Sequence, residues 1–210
     1  MSAKSPQISH ALTRHSRHLG MRCSVGSTLI EVLVSLLLLS FTMLGIAGLM
    51  SATTRYQLGV DSRSAITLLF NDLTARVRAN NQTASDAYLY DTDWSGQQTA
   101  VGSAPSPNCS AISAAGCSPA ERAAYDLWEV RTAIRASMPQ GSLLISGSPD
   151  DGMLMSFMWF DKDFLADANT LRDSPQCSSS MTPVQLQSCC PTVASVSTPG
   201  VRCLNFSFIR

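Results

Sequence analysis

Cysteine and carboxylate are the side chains of this chain whose types and spacing could do chemistry. Six of the seven cysteines, Cys109, Cys117, Cys177, Cys189, Cys190 and Cys203, lie in the later part, with Cys23 near the start. An even count in an oxidising compartment reads as disulfides, with fifteen possible connectivities. Cys109 and Cys117 are the favoured local pair, and their nine-residue ring contributes about 2.5 kcal/mol in the loop-entropy model. Consecutive Cα atoms sit about 3.8 Å apart, whereas a disulfide wants about 4.4 to 6.8 Å. Cys189 and Cys190 are therefore expected to bond elsewhere, most simply one to Cys177 and one to Cys203. A structural zinc site is the rival chemistry, but it needs Cys-x-x-Cys or histidine ligands at set spacings, and these cysteines have neither. Asp150-Asp151 and Asp161-Lys162-Asp163 with Asp167 raise calcium, yet no loop carries the glycine and distal glutamate of an EF-type site.

General acid–base and nucleophilic chemistry have little to work with. His10, His15 and His18 all precede residue 27, and beyond it the only lysine is Lys162, set in a polar run. Without histidine, the remainder can assemble neither a Ser/His/Asp nor a Cys/His mechanism. The chain is read as a non-enzyme that needs no cofactor. Fifteen basic residues balance fifteen acidic ones, so nothing favours a nucleic-acid partner, which would want excess Lys and Arg to neutralise phosphates. The balance is uneven: residues 1–26 carry Lys4, Arg14, Arg17 and Arg22 and no acid, leaving eleven basic against fifteen acidic residues behind them.

Glu31 is the one acid placed against an apolar background. From Val32 to Thr54 no residue is charged, a run sufficient for a bilayer span of about 20 residues. Basic residues before it and acids well after it place the N-terminus in the cytoplasm and the body outside. A secretory signal peptide cut near Ala47 or Ala52 is the alternative; its apolar core is usually only about 7 to 15 residues and carries no acid. A carboxylate at the membrane is costly, about 2.5 to 3.5 kcal/mol at the centre and less near an interface, so Glu31 calls for a cationic partner or snorkels to the headgroups.

The elements follow from periodicity. Leu58, Ile66, Leu69, Leu73 and Val77 recur at helical intervals, continuing one helix to about Asn80. From Thr28 that helix would measure roughly 80 Å. Residues 81–118 read as loop. Ser118-Pro119-Ala120-Glu121 is a capping-box pattern opening a helix to about Ser137, which Pro139 and Gly141 end. Runs at 142–146, 153–160 and 201–209 read as strands, the last with Leu204, Phe206 and Phe208 alternating with polar Asn205 and Ser207. Residues 173–200 read as irregular and Cys-bearing. Trp128 and Trp159 are expected in the core. The fold class is α+β, a long helix laid on a small antiparallel sheet.

Gly26-Ser27-Thr28-Leu29-Ile30-Glu31-Val32-Leu33-Val34 resembles the processing motif of type IV pilins and pseudopilins. The resemblance implies cleavage by a prepilin peptidase between Gly26 and Ser27, N-methylation of Ser27, and Glu31 fifth from the cut. It implies that Glu31 meets the free N-terminal amine of a neighbouring subunit during assembly. Ser27 stands where the family most often has Phe. Further along, Cys117 to Trp128, Met138-Pro139-Gln140-Gly141 and Met158-Trp159-Phe160-Asp161 resemble minor pilins of the PilV kind, the type IV pilus modification proteins. Residues 81–116 and 173–200 carry no such likeness.

The resemblance implies the pilin fold, with a removed basic leader (1–26), a membrane-spanning half of the first helix (27–54) and an exported domain (55–210). It implies a minor pilin taking part in pilus assembly or priming and in motility or adhesion. Its partners would be prepilin peptidase, major and other minor pilins, the inner-membrane assembly platform, and membrane lipid before assembly. Its location would be the bacterial inner membrane and then the pilus. A type II secretion pseudopilin is the alternative; a DNA-uptake pilin would want a basic patch, and a secreted adhesin or enzyme an ordinary signal peptide.

Overall fold

The computed structural model describes residues 28–84, 86–110, 116–148 and 152–209, apart from the side chains of residues 55 and 58. Contacts divide the chain into residues 1–48 and 49–210, the boundary falling inside the first helix. That helix, α1, runs Leu29–Ala79. Its second half buries Ile66, Leu73 and Val77, with Leu69 and Phe70 half-buried beside them. Leu58, expected on the same face, lies outside the described side chains. Arg76 and Arg78 in the last turn complement the negative end of the helix dipole.

The second helix, α2, spans Pro119–Ser137 and begins as the sequence pattern predicts. Ser118 Oγ accepts from the Glu121 N–H at 3.3 Å, and the Glu121 carboxylate accepts from the Ser118 N–H at 2.8 Å. Two otherwise orphaned donors are thereby satisfied, and Pro119 occupies the first turn, where it has no bond to lose. Val130, Ile134 and Met138 are buried and Leu127 is half-buried. The helix ends in a tight turn: Gln140 takes φ 55°, and a Cβ on Gly141 would come within 2.6 Å of the Ile134 carbonyl oxygen.

Three strands, β1 (Ser142–Ser148), β2 (Gly152–Phe160) and β3 (Val201–Phe208), form an antiparallel sheet in the order β1-β2-β3. Leu143 faces Phe157 and Ile145 faces Met155 across the first pair; Phe206 faces Met155 and Cys203 faces Met158 across the second. The central strand is buried on both faces. On one, Met153, Met155, Phe157 and Trp159 join the helices' apolar residues, with Phe70 stacked on Phe206 at 4.7 Å. On the other, Leu144, Met158, Val201 and Cys203 pack with Trp94, Cys190 and Ala194.

Two expectations need correction. Trp159 is buried, but Trp128 is only half-buried: its indole N–H reaches the Gly102 carbonyl at 3.1 Å, so it pins the preceding loop and lies outside the core. Asn205 is 8% exposed, although its polarity and alternation point it outward. The Cys-bearing segment covers that face of β3. It contains a capped helical turn, α3 (Pro183–Leu186), and its Leu186 and Cys189 carbonyls accept from the Asn205 amide at 2.6 and 2.8 Å.

Candidate functional site

Glu31 sits in the first turn of α1, its N–H donating to the Thr28 carbonyl at 2.9 Å. A negative charge is favoured there by the exposed N–H groups of the helix start. Among the described residues its carboxylate has no hydrogen-bond or ion-pair partner. Gly26 and Ser27, the proposed cleavage and methylation positions, lie outside the described residues. The arrangement provides an acceptor for a cation at the head of an apolar helix.

The segment behind Glu31 meets the requirements of a bilayer span. α1 is long and apolar enough to cross a membrane, and none of its most apolar window is buried within the protein. Its hydroxyls are satisfied along the helix: Ser35 donates to the Glu31 carbonyl at 2.7 Å, Ser40 to Leu36 at 2.7 Å, and Thr54 to Met50 at 2.8 Å. Such internal bonding suits hydrocarbon, which has no water to offer a polar group.

The cysteines are paired as Cys109–Cys117, Cys177–Cys189 and Cys190–Cys203, with Cα separations of 6.0, 5.0 and 5.2 Å. The adjacent Cys189 and Cys190 thus turn to different partners. Cys190 anchors the loop to β3 from within the second apolar cluster, while Cys177–Cys189 closes the loop on itself. Among the described residues no group of three or more His, Cys, Asp or Glu is placed to hold a metal ion.

Sequence reasoning missed a buried polar network at the joint between α1 and α2. Asp126, 7% exposed, accepts from Arg76 at 3.0 Å and from the Tyr88 hydroxyl at 2.7 Å. Arg76 also reaches Glu129 at 2.5 Å and Asp72 at 2.8 Å. Asn80 donates to Tyr88 at 3.1 Å and to the Pro119 carbonyl at 2.7 Å. Burial pushes the Tyr88 phenol well above its ordinary value, and donation to Asp126 adds to the shift against the opposing Asn80 bond. Burial alone would lower the Arg76 guanidinium, but its bonds to Asp126, Glu129 and Asp72 outweigh that and raise it. The network fixes how the two helices meet; Asp126 was visible in the sequence only within the Cys117 to Trp128 likeness.

No protein-family model matches the chain, and no characterised protein or solved structure shows significant similarity to it.

Proposed function

We propose that this chain is a minor pilin of the PilV kind, a low-copy subunit that takes part in the assembly of a type IV pilus and has no catalysis of its own. The observation that carries the reading is Glu31: an acid without a partner among the described residues, in the first turn of a 51-residue helix whose first half suits a bilayer and whose second half packs into an α+β body. In this reading Glu31 accepts the N-terminal amine that cleavage after Gly26 creates on a neighbouring subunit. In low dielectric such a pair offsets its desolvation only with good geometry, so it acts as a register device. Three disulfides support an exported, oxidising location for the body.

Glu31→Ala tests the role. Membrane insertion stays equal or improves, because an acid leaves an apolar surface, while incorporation into sheared pili drops. Wild-type incorporation of correctly processed mutant would refute the register role. A type II secretion pseudopilin would share this architecture, and copurification with secretion components in place of pilus subunits would identify it.

A further inference from the structure

Residues 178–188 form a projection that burial does not anchor. The Cys177–Cys189 bridge closes the chain into a ring around them, none of them is buried, α3 included, and no residue from Ser174 to Val201 carries a charge that could pair with the rest of the body. Among the described residues, every hydrogen bond between 178–189 and the sheet involves Asn205. Its N–H donates to the Gln187 carbonyl at 2.9 Å, and its side-chain amide donates to the Leu186 and Cys189 carbonyls at 2.6 and 2.8 Å. That N–H points away from β2, and β3 ends the strand order, so the ring caps the open edge of β3. The seal is imperfect. The amide presents its N–H groups to the two carbonyls, which leaves Asn205 Oδ1 buried without a partner, and Ser156 Oγ, on the residue facing it across β2, is buried and unpaired as well. Orphaned polar atoms cost free energy that water returns when the face opens.

The two bridges of this segment differ in access. Cys190 and Cys203 are 1% and 4% exposed and lie in the second apolar cluster, whereas Cys177 is only half-buried. Thiol–disulfide exchange needs a thiolate to reach one sulfur, so a dithiol reaches Cys177 Sγ before either sulfur of the other bridge. The reductant's thiolate bonds to Cys177 Sγ, the bond to Cys189 Sγ breaks, and Cys189 leaves as a thiolate that takes up a proton. The second thiol of the reductant then displaces Cys177 as a thiol, and the dithiol ends as a disulfide, having given up two electrons and two protons. Asn205 Nδ2 lies 3.8 Å from both sulfurs, so the positive end of the amide dipole faces the departing charge. We infer that Cys177–Cys189 is a redox latch: its reduction by a dithiol, with Cys190–Cys203 still closed as a tether, releases residues 178–188 from Asn205 and uncovers the edge of β3. The conformational entropy regained by the unburied ring drives the release.

The test titrates the full chain in detergent with dithiothreitol, reading each cysteine by differential alkylation and mass spectrometry and the β3 amides by hydrogen exchange resolved to single residues. The expected result is alkylation of Cys177 and Cys189 about tenfold or more faster than of Cys190 and Cys203. Once Cys177–Cys189 is open, the Asn205 amide should exchange about tenfold or more faster, while Leu204 and Phe206, whose backbones face β2, keep their protection. The double variant Cys177→Ala, Cys189→Ala should show the same fast Asn205 amide without reductant. Opening of Cys190–Cys203 as fast as Cys177–Cys189 would overturn the latch, because no tether would remain. An Asn205 amide that stays protected after Cys177–Cys189 opens would also overturn it, and so would loss of protection at Leu204 and Phe206 in the same step, since the bridge would then hold the whole sheet.

Discussion

Gln97 sets its side-chain amide against the backbone of Leu143, accepting from its N–H at 3.0 Å and donating to its carbonyl at 2.8 Å. One side chain thus stands in for a neighbouring strand on the free edge of β1, and the backbone of Tyr90 does the same at Ile145. An unpaired edge is a template for unwanted pairing, and here it is closed without a fourth strand. Gln97→Ala leaves both Leu143 groups unpaired in a buried site, which costs about 1 to 3 kcal/mol. Thermal unfolding of the detergent-solubilised chain should show a midpoint lower by several degrees, with more aggregation; an unchanged midpoint would mean that the edge needs no cover.

Asp126 is the hub between the helices, bound to Arg76 and Tyr88. Asp126→Ala leaves a guanidinium and a phenol without their buried acceptor. Breaking a buried pair costs about 3 to 5 kcal/mol, but the Arg76 side chain is 28% exposed and water recovers part of its solvation, so about 2 to 3 kcal/mol is expected. Tyr88→Phe removes only the hydroxyl and should cost about 1 kcal/mol. Denaturant titration checks the order, and equal losses in the two variants would contradict it.

The pairing at adjacent cysteines gives a covalent test. Non-reducing peptide mapping should recover Cys177 with Cys189 and Cys190 with Cys203; free thiols or an exchange of partners would refute the arrangement. The Cys190–Cys203 bridge has a sequence separation of 13. Its removal in the double variant Cys190→Ala, Cys203→Ala should cost about 3 kcal/mol by loop entropy and also loosen the loop whose Leu186 and Cys189 carbonyls accept from the Asn205 amide.

Glu121 carries a pH signature. Its carboxylate accepts from the Ser118 N–H and hydroxyl, and these bonds hold it below its ordinary value of 4.5. A folded-state value below the unfolded one means the contribution is fully present above pH 4.5 and is lost as pH falls through the folded value. The stability difference between wild type and Glu121→Gln should therefore shrink on acidification below that range, and an NMR titration of Glu121 should find a midpoint under 4.5.

The long helix, α2 and the three strands were legible because their cores repeat at 3.6 or 2 residues and their ends carry specific chemistry, such as Ser118 with Glu121. Asn205 and Gln97 were not. Each is a polar residue bonded to backbone groups across a contact with a segment without periodicity: Asn205 on β3 meets carbonyls of 173–200, and Gln97 within 90–98 meets Leu143 of β1; pattern reading assigns such residues to solvent. One sign of a covered second face was the cysteine pair at 189 and 190, whose simplest pairing, one to Cys177 and one to Cys203, brings that loop to β3. At the candidate site Glu31 was legible because an acid heading an apolar run violates the pattern; the cationic partner proposed for it would come from a second subunit, which the sequence of one chain does not carry.

The mature N-terminus tests the central claim most directly. Mass spectrometry of the chain purified from membranes of a cell with an active prepilin peptidase should find a first residue of Ser27 carrying one N-methyl group. The same chain from a peptidase-deficient host should keep its basic leader. A mature chain beginning after Ala47 or Ala52 would contradict the account, because it would remove Glu31 and the apolar helix together.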